Sequence, residues 1–332
     1  MKGLGFRDLF RSKRLKHACA IFLVIISICC VQDLYGDEPG AQMKVPVDKG
    51  RMRHDVEVLT TIHPPRSAKH VSSLDKSAEY ILAEFAKTGC NVSVQSFTHD
   101  QKVYKNVICT FGPQDGERVV VGAHYDVYGD QPGADDNASG VAGLIELARL
   151  VNIQKPDLRY RTDFVAFTLE EPQFFRTRHM GSYIFAQSLY DTDVHIRAMI
   201  ALEMIGYFSD KPRSQRYPVF FLKWFYPDKG NYIAVVGKWG QGSLVAQVKK
   251  SIMETCRLDV EDLTAPAVLP GIDFSDHQSF WRFGYKAVMI TDTAFYRNRN
   301  YHSAADTIDT LDFDKMSEVV KGVYRAVINL SR

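Results

Sequence analysis

The chain has 332 residues, 45% of them hydrophobic and 24% charged, with a formal net charge of +2. That composition excludes a disordered or fibrous chain and leaves room for one large α/β domain or two small ones. Residues 1–36 hold six Lys/Arg against two Asp, so the remainder carries about −2, and a nearly neutral body argues against nucleic acid as a partner.

The basic stretch MKGLGFRDLFRSKRLKH leads into the apolar run Ala18–Val31, an n-region followed by an h-region. The run is shorter than the ~20 residues of a comfortable membrane span, so residues 1–36 read as a secretory signal peptide, with an uncleaved signal anchor as the alternative. The expected location is periplasmic or secreted, with membrane attachment only through such an anchor. Three of the six cysteines fall in this segment, leaving Cys90, Cys109 and Cys256. Three cannot all pair internally and do not make a disulfide framework. None has zinc-finger spacing, so any metal site must be built from His and carboxylate.

Residues 37–332 read as a single domain, without repeats. A helix is predicted over 71–87, ending at Gly89, then strands over 92–97 and 107–110. The β-branched run Val119–Ala123 is a buried central strand ending at His124, and a helix opens near Asn137–Ser139 with apolar residues at Val141, Leu144, Ile145, Ala148 and Val151. Strands over 163–169 and 196–202 close on Glu170-Glu171 and on Glu203. Residues 207–232 form an aromatic, Pro-containing loop, either folded over its own small core or walling a substrate pocket. A strand over 233–237, a helix over 241–257, a short helix from Asp273 to Phe283, a strand over 287–291 and an amphipathic helix over 313–330 complete the chain.

Three predicted strands thus end in His124, in Glu170-Glu171 and in Glu203. Parallel strands bring their carboxyl ends to one edge and so gather residues distant in sequence. In His124-Tyr-Asp126 the carboxylate is spaced to orient an imidazole that binds a metal. The adjacent acids of Gly133-Ala-Asp-Asp136-Asn repel one another and become a ligand set when a cation is present. Asn91-Val-Ser and Asn137-Ala-Ser have the form of glycosylation sequons, the second discounted because a glycan there would fill the site.

From about Ser72 onward the chain resembles the two-zinc aminopeptidases of peptidase clan MH, a group that includes glutamate carboxypeptidases and glutaminyl cyclases. The resemblance rests on GAHYD, GADDNASG, the Glu pair in LEEP, LEMIGY, SDHQSFW and YHSAADT in that order. It implies a three-layer α/β/α fold of the zinc-exopeptidase type, with a central mostly parallel mixed sheet. It also implies two Zn2+ ions per chain: Asp136 bridging both, Glu171 and His302 completing one site, His124 and Glu203 the other. Glu170 matches the general base, Asp126 the acid behind His124, and Asp276 a supporting acid, whereas His277 reads as structural. The peptide after Asp136 is expected to be cis. Many relatives have Asp where Glu203 stands, which leaves the occupancy of that second site open.

The implied chemistry is attack on a peptide carbonyl by a water or hydroxide bridging the metals, with Glu170 taking its proton and passing it to the leaving amine. The expected activity is an exported zinc aminopeptidase acting on the N-terminal residues of peptides. The rivals are glutaminyl cyclisation, carboxypeptidase action using Arg176 or Arg178 for the substrate carboxylate, and a non-catalytic exported binding domain.

Overall fold

A computed structural model describes residues 45–332. The candidate signal segment lies outside the described residues. Among them, no helix is long and apolar enough to cross a membrane.

The framework is an eight-stranded sheet: β1 (Asn91–His99), β2 (Lys102–Phe111), β3 (Arg118–His124), β4 (Arg161–Phe167), β5 (Ile196–Glu203), β6 (Ile233–Lys238), β7 (Val260–Ala265) and β8 (Ala287–Thr291), in spatial order β1-β2-β4-β3-β5-β8-β6-β7. The central β4, β3, β5 and β8 are parallel, and β7 pairs parallel with β6. The pairs β1–β2, β2–β4 and β6–β8 are antiparallel. The mostly parallel mixed sheet expected from the sequence is therefore the fold observed.

Helices α1 (Lys49–Thr61), α2 (Val71–Ala86), α3 (Gly140–Gln154), α5 (Gly242–Met253) and α7 (Phe313–Leu330) pack on one face, with α4 (Gly181–Asp191) and α6 (His277–Arg282) on the other. The strand period of two divides the core between those faces: Val119, Val121 and Ala123 join one cluster while Val120 joins the other. Asp312 caps α7 by accepting from the Lys315 amide at 3.0 Å, and Met316, Val319, Val320, Val323 and Val327 bury the apolar stripe expected of it.

The structure differs from the sequence reading in several places, among them the helix expected over 241–257, which ends at Met253, and the strand expected over 107–110, which starts at Lys102. Helix α1 and strand β7 were not foreseen: α1 is only weakly amphipathic, and VEDLTA on the sheet edge has no apolar alternation. The strand expected to run to residue 169 stops at Phe167, because Leu169 turns the chain through φ +60°. Cys90 and Cys109 form a disulfide joining the start of β1 to β2, leaving Cys256 buried and free.

One buried ion network ties three helices together. Arg149 on α3 donates to Asp55 of α1 at 2.9 Å, to Glu84 of α2 at 2.8 Å and to Glu146 at 3.2 Å. Removing the guanidinium leaves the buried Asp55 and Glu146 without a cation and Glu84 with Lys87 alone, so Arg149→Met should cost roughly 3–5 kcal/mol, read from urea unfolding at neutral pH. A loss within experimental error would show that the acids are satisfied without it.

Candidate metal centre

The chain crosses from β3 through α3 to β4 on one side, and from β4 through α4 to β5 on the other. The carboxyl ends of β3 and β5 therefore flank the point where the connections diverge, the usual place for a ligand in an open α/β sheet. His124 is the last residue of β3 and Glu203 the last of β5.

Asp136 lies between two imidazoles. Its Oδ1 is 3.4 Å from His124 Nε2 and its Oδ2 is 3.1 Å from His302 Nε2. His124 Nε2 is also 3.4 Å from Glu203 Oε2, and His302 Nε2 is 3.1 Å from Glu171 Oε2. Two three-residue groups result, His124–Asp136–Glu203 and Asp136–Glu171–His302, each with its donor atoms within 4.8 Å of one another and with Asp136 common to both. Glu170 belongs to neither, though its Oε2 is 3.9 Å from His124 Nε2.

Backbone geometry holds these side chains. Non-glycine residues take left-handed conformations at Leu169, just before Glu170; at Met204, just after Glu203; and at His302 itself. Each such residue costs roughly 1–2 kcal/mol, and such residues concentrate at functional sites. The peptide Asp136–Asn137 is cis, as the resemblance implied. Gly133 has φ +62°, and a Cβ there would lie 2.3 Å from the Asp136 carbonyl oxygen, so only glycine lets the loop fold back on itself.

The surrounding polar groups fix the acids by donating to them. Both carboxylate oxygens of Asp126 accept from the Glu170 and Glu171 amides at 3.1 and 3.2 Å, while His124 Nδ1 stands 3.5 Å from Oδ1 of the same acid. Asp306 accepts from the Asp135 and Asp136 amides at 2.9 and 3.0 Å. Asn137 is buried and donates to the Leu202 carbonyl at 2.9 Å, so the discounted sequon has no free amide. Asp135 is not part of either group: it accepts from the Gly206 amide and from Asn298. Ser275 donates to Glu203 Oε2 at 2.7 Å. Asp276 is buried beside this edge with both carboxyl oxygens unpartnered, and burial raises it to about 7 against the opposing charge of His124.

Sequence reasoning missed Asp306, Ser275 and Arg66. Asp306 was within sight, four residues past His302 in the same motif. Arg66 gave no signal; it is buried, donates to the Pro132 and Gly133 carbonyls at 2.6 Å, and faces the charges of Asp306 and Asp136. Tyr128 and Tyr301 stack on His302 at 4.2 and 3.8 Å.

The donor set fits a divalent cation. His124 Nε2, His302 Nε2 and Glu171 Oε1 are buried without a hydrogen-bond partner although they converge on the same small volume. Burial raises Glu171 to about 8, helped by the Asp136 charge. Burial also works against Asp136, but the His124 and His302 imidazoles, 3.4 and 3.1 Å away, hold it below the usual carboxylate range. His302 rises to about 9 because the Asp136 and Glu171 carboxylates, each 3.1 Å away, outweigh its burial. The acids thus demand positive charge at this point, which a divalent cation held by these donors would supply.

Residues 106–327 match the family model described as Peptidase family M28. The chain belongs to peptidase family M28. This M28 peptidase is 45% identical over 287 residues to the uncharacterized protein YfbL of Escherichia coli (strain K12), covering 84% of this chain and 87% of that one. It is 26% identical over 299 residues to leucine aminopeptidase 1 of Pyrenophora tritici-repentis, covering 84% and 70%. Its fold is that of BSAP, a zinc aminopeptidase from Bacillus subtilis, with a TM-score of 0.68 at 16% identity, covering 86% and 96%.

In this M28 peptidase His277 stands apart from both candidate metal groups. Its Nε2 donates to the Ile272 carbonyl at 2.8 Å, its ring meets Trp281 edge-on at 4.5 Å, and burial lowers it to about 4. The unfolded chain binds this proton below about pH 6.5 whereas the folded chain resists it down to about 4. Stability from this residue is therefore full above 6.5 and falls with pH, by roughly 2 kcal/mol between pH 7 and 5. His277→Gln should remove that much of the acid slope, read as the difference between variant and parent urea midpoints at the two pH values; parallel slopes would contradict it.

Proposed function

We propose that this M28 peptidase is an exported zinc aminopeptidase that removes N-terminal residues from peptides. One observation carries the reading: Asp136 is shared by two His/carboxylate groups while Glu170 lies beside them and inside neither. His124, Asp136 and Glu203 would hold one Zn2+ and Asp136, Glu171 and His302 the other, since neutral imidazole and carboxylate are zinc donors and no thiolate is near. When bound, the zincs supply Lewis acidity to the scissile carbonyl and lower the pKa of water.

Glu170 is the residue placed to move the proton. Burial raises its carboxyl well above the usual range, reinforced by the charges of Glu203 and Glu171 and opposed by that of His124. As a carboxylate it would accept a proton at Oε from the attacking water as the new C–O bond forms. It then gives that proton to the amine nitrogen as the C–N bond breaks. Asp126 orients the base by gripping the Glu170 amide.

A pocket opens from Glu203 between aromatic walls and takes one side chain. The segment read as either self-packed or a pocket wall contributes Tyr217, Leu222 and Tyr226 to it. Self-closure occurs as well: Ser209 donates to the Gly230 carbonyl at 2.8 Å. Of the two cations open to the carboxypeptidase rival, Arg176 is engaged by both oxygens of Asp273 at 2.5 and 2.6 Å, and Arg178 is exposed. Export is supported by the basic-then-apolar residues 1–36 and agrees with the Cys90–Cys109 disulfide, a bond that persists in oxidising compartments.

Glu170→Gln should retain two zincs per chain by elemental analysis and lose on the order of 10²–10⁴-fold in kcat on aminoacyl substrates. N-acetylated substrates should resist the parent enzyme. Undiminished turnover by the variant would remove Glu170 from the chemistry, and equal cleavage of blocked substrates would remove the aminopeptidase assignment.

A further inference from the structure

The pocket beside Glu203 ends on an acid whose role nothing above has used. Glu203 pairs in register with Thr291 of β8, Thr291 with Ala234 of β6, and Ala234 with Glu261 of β7. The four residues form one row across the sheet and share a face, since directly opposed residues point the same way. Adjacent strands are ~4.8 Å apart, so three spacings put the backbones of Glu203 and Glu261 roughly 14 Å apart. The two residues between them are small, and the floor of the pocket is left open beneath walls that include Tyr217, Leu222, Tyr226, Tyr232 and Ile272.

Glu261 is the carboxylate at the far end. It is half-buried and has no hydrogen-bond or ion-pair partner among the described residues, and burial raises its pKa against the more distant charge of Lys249. Its neighbour Asp262 alternates to the opposite face, where Lys249 of α5 pairs with it at 2.7 Å. The positive charges near the pocket have other duties. Arg216 is exposed at the rim and donates to the Phe295 carbonyl. Arg297 stacks on Tyr232, donates to Gln215 at 3.0 Å and is set against the Asp292 charge. An unpaired carboxylate at the end of an aromatic and aliphatic channel matches a side chain with a long apolar stem and a cationic tip, because the stem packs on the walls while the tip meets the acid.

We infer that Glu261 selects substrates whose N-terminal residue is lysine or arginine, the pocket row from Glu203 to Glu261 being the subsite for that side chain. This rests on the aminopeptidase reading and names its substrate class.

Lysine and norleucine differ in the terminal ammonium, which makes them a matched pair. With the zinc-loaded full chain, kcat/KM for lysyl p-nitroanilide should exceed that for norleucyl p-nitroanilide by roughly tenfold, the scale of about 1.4 kcal/mol for one partly desolvated charge pair. Glu261→Gln should bring the ratio near one with norleucyl turnover changed less than about twofold, and Glu261→Lys should shift preference toward glutamyl substrates. Calorimetry with lysinamide and norleucinamide supplies a readout free of turnover: lysinamide should bind about tenfold tighter to the parent and equally to Glu261→Gln. A parent that favours norleucyl over lysyl, or a ratio untouched by Glu261→Gln, would overturn the selectivity and leave the aminopeptidase reading standing. Failure to cleave any free aminoacyl substrate would overturn that reading instead, and the lysinamide preference would then decide the role of Glu261 by itself.

Discussion

The constraint on which the structure depends is mutual repulsion among acids held out of water at one sheet edge. Asp136, Glu170, Glu171 and Glu203 are all buried there, with Asp126, Asp276 and Asp306 buried around them. Uncompensated carboxylates in such a place would cost far more than a domain's whole stability. Three devices offset the cost. The imidazoles of His124 and His302 stand between the acids, Arg66 turns a buried guanidinium toward the cluster, and backbone amides are aimed at the acids that do not face the centre. The division of labour within GADDNASG follows from this. Asp135 is spent on the Gly206 amide and Asn298, which leaves Asp136 as the acid that faces both imidazoles.

How much of this was legible depended on whether the signal was local. The end of β3 at His124 and the end of β5 at Glu203 were readable because buried parallel strands are continuous apolar runs with abrupt polar termini. The Glu170-Glu171 pair was readable as a pair, but its position was not: Leu169 adopts a conformation that leucine rarely takes, and no sequence pattern announces a left-handed leucine. Helix α1 was missed because its burial comes from packing on α3 and its centre is the Asp55–Arg149 contact, a tertiary ion pair rather than an apolar stripe. Arg66 was missed for the same reason, its partners being carbonyls 66 and 67 residues away.

On the proposed reading, the strand order also sets a recognition pocket beside the candidate metal site. Inserting β8 between β5 and β6 places Thr291 and Ala234 between Glu203 and the far edge, and their small side chains leave the floor that the tyrosines wall. The loop that closes on itself through Ser209 and Gly230 is thereby also the pocket's side, so its two sequence readings describe one object.

The longer side chain at Glu203 shows how such a site absorbs a change. An extra methylene adds a rotatable bond and would let the carboxylate swing away from His124 unless something held it. Ser275 holds it, donating at 2.7 Å to the same Oε2 that stands 3.4 Å from His124 Nε2, a separation equal to that between Asp136 Oδ1 and the same nitrogen. Ser275 is buried and immediately precedes Asp276, whose carboxyl is also buried. The reach of a glutamate and the hydroxyl that fixes it act as a unit. On the proposed reading Glu203 therefore reaches His124 as closely as Asp136 does, and the substitution that looked like a weakness in the sequence is compensated one contact away.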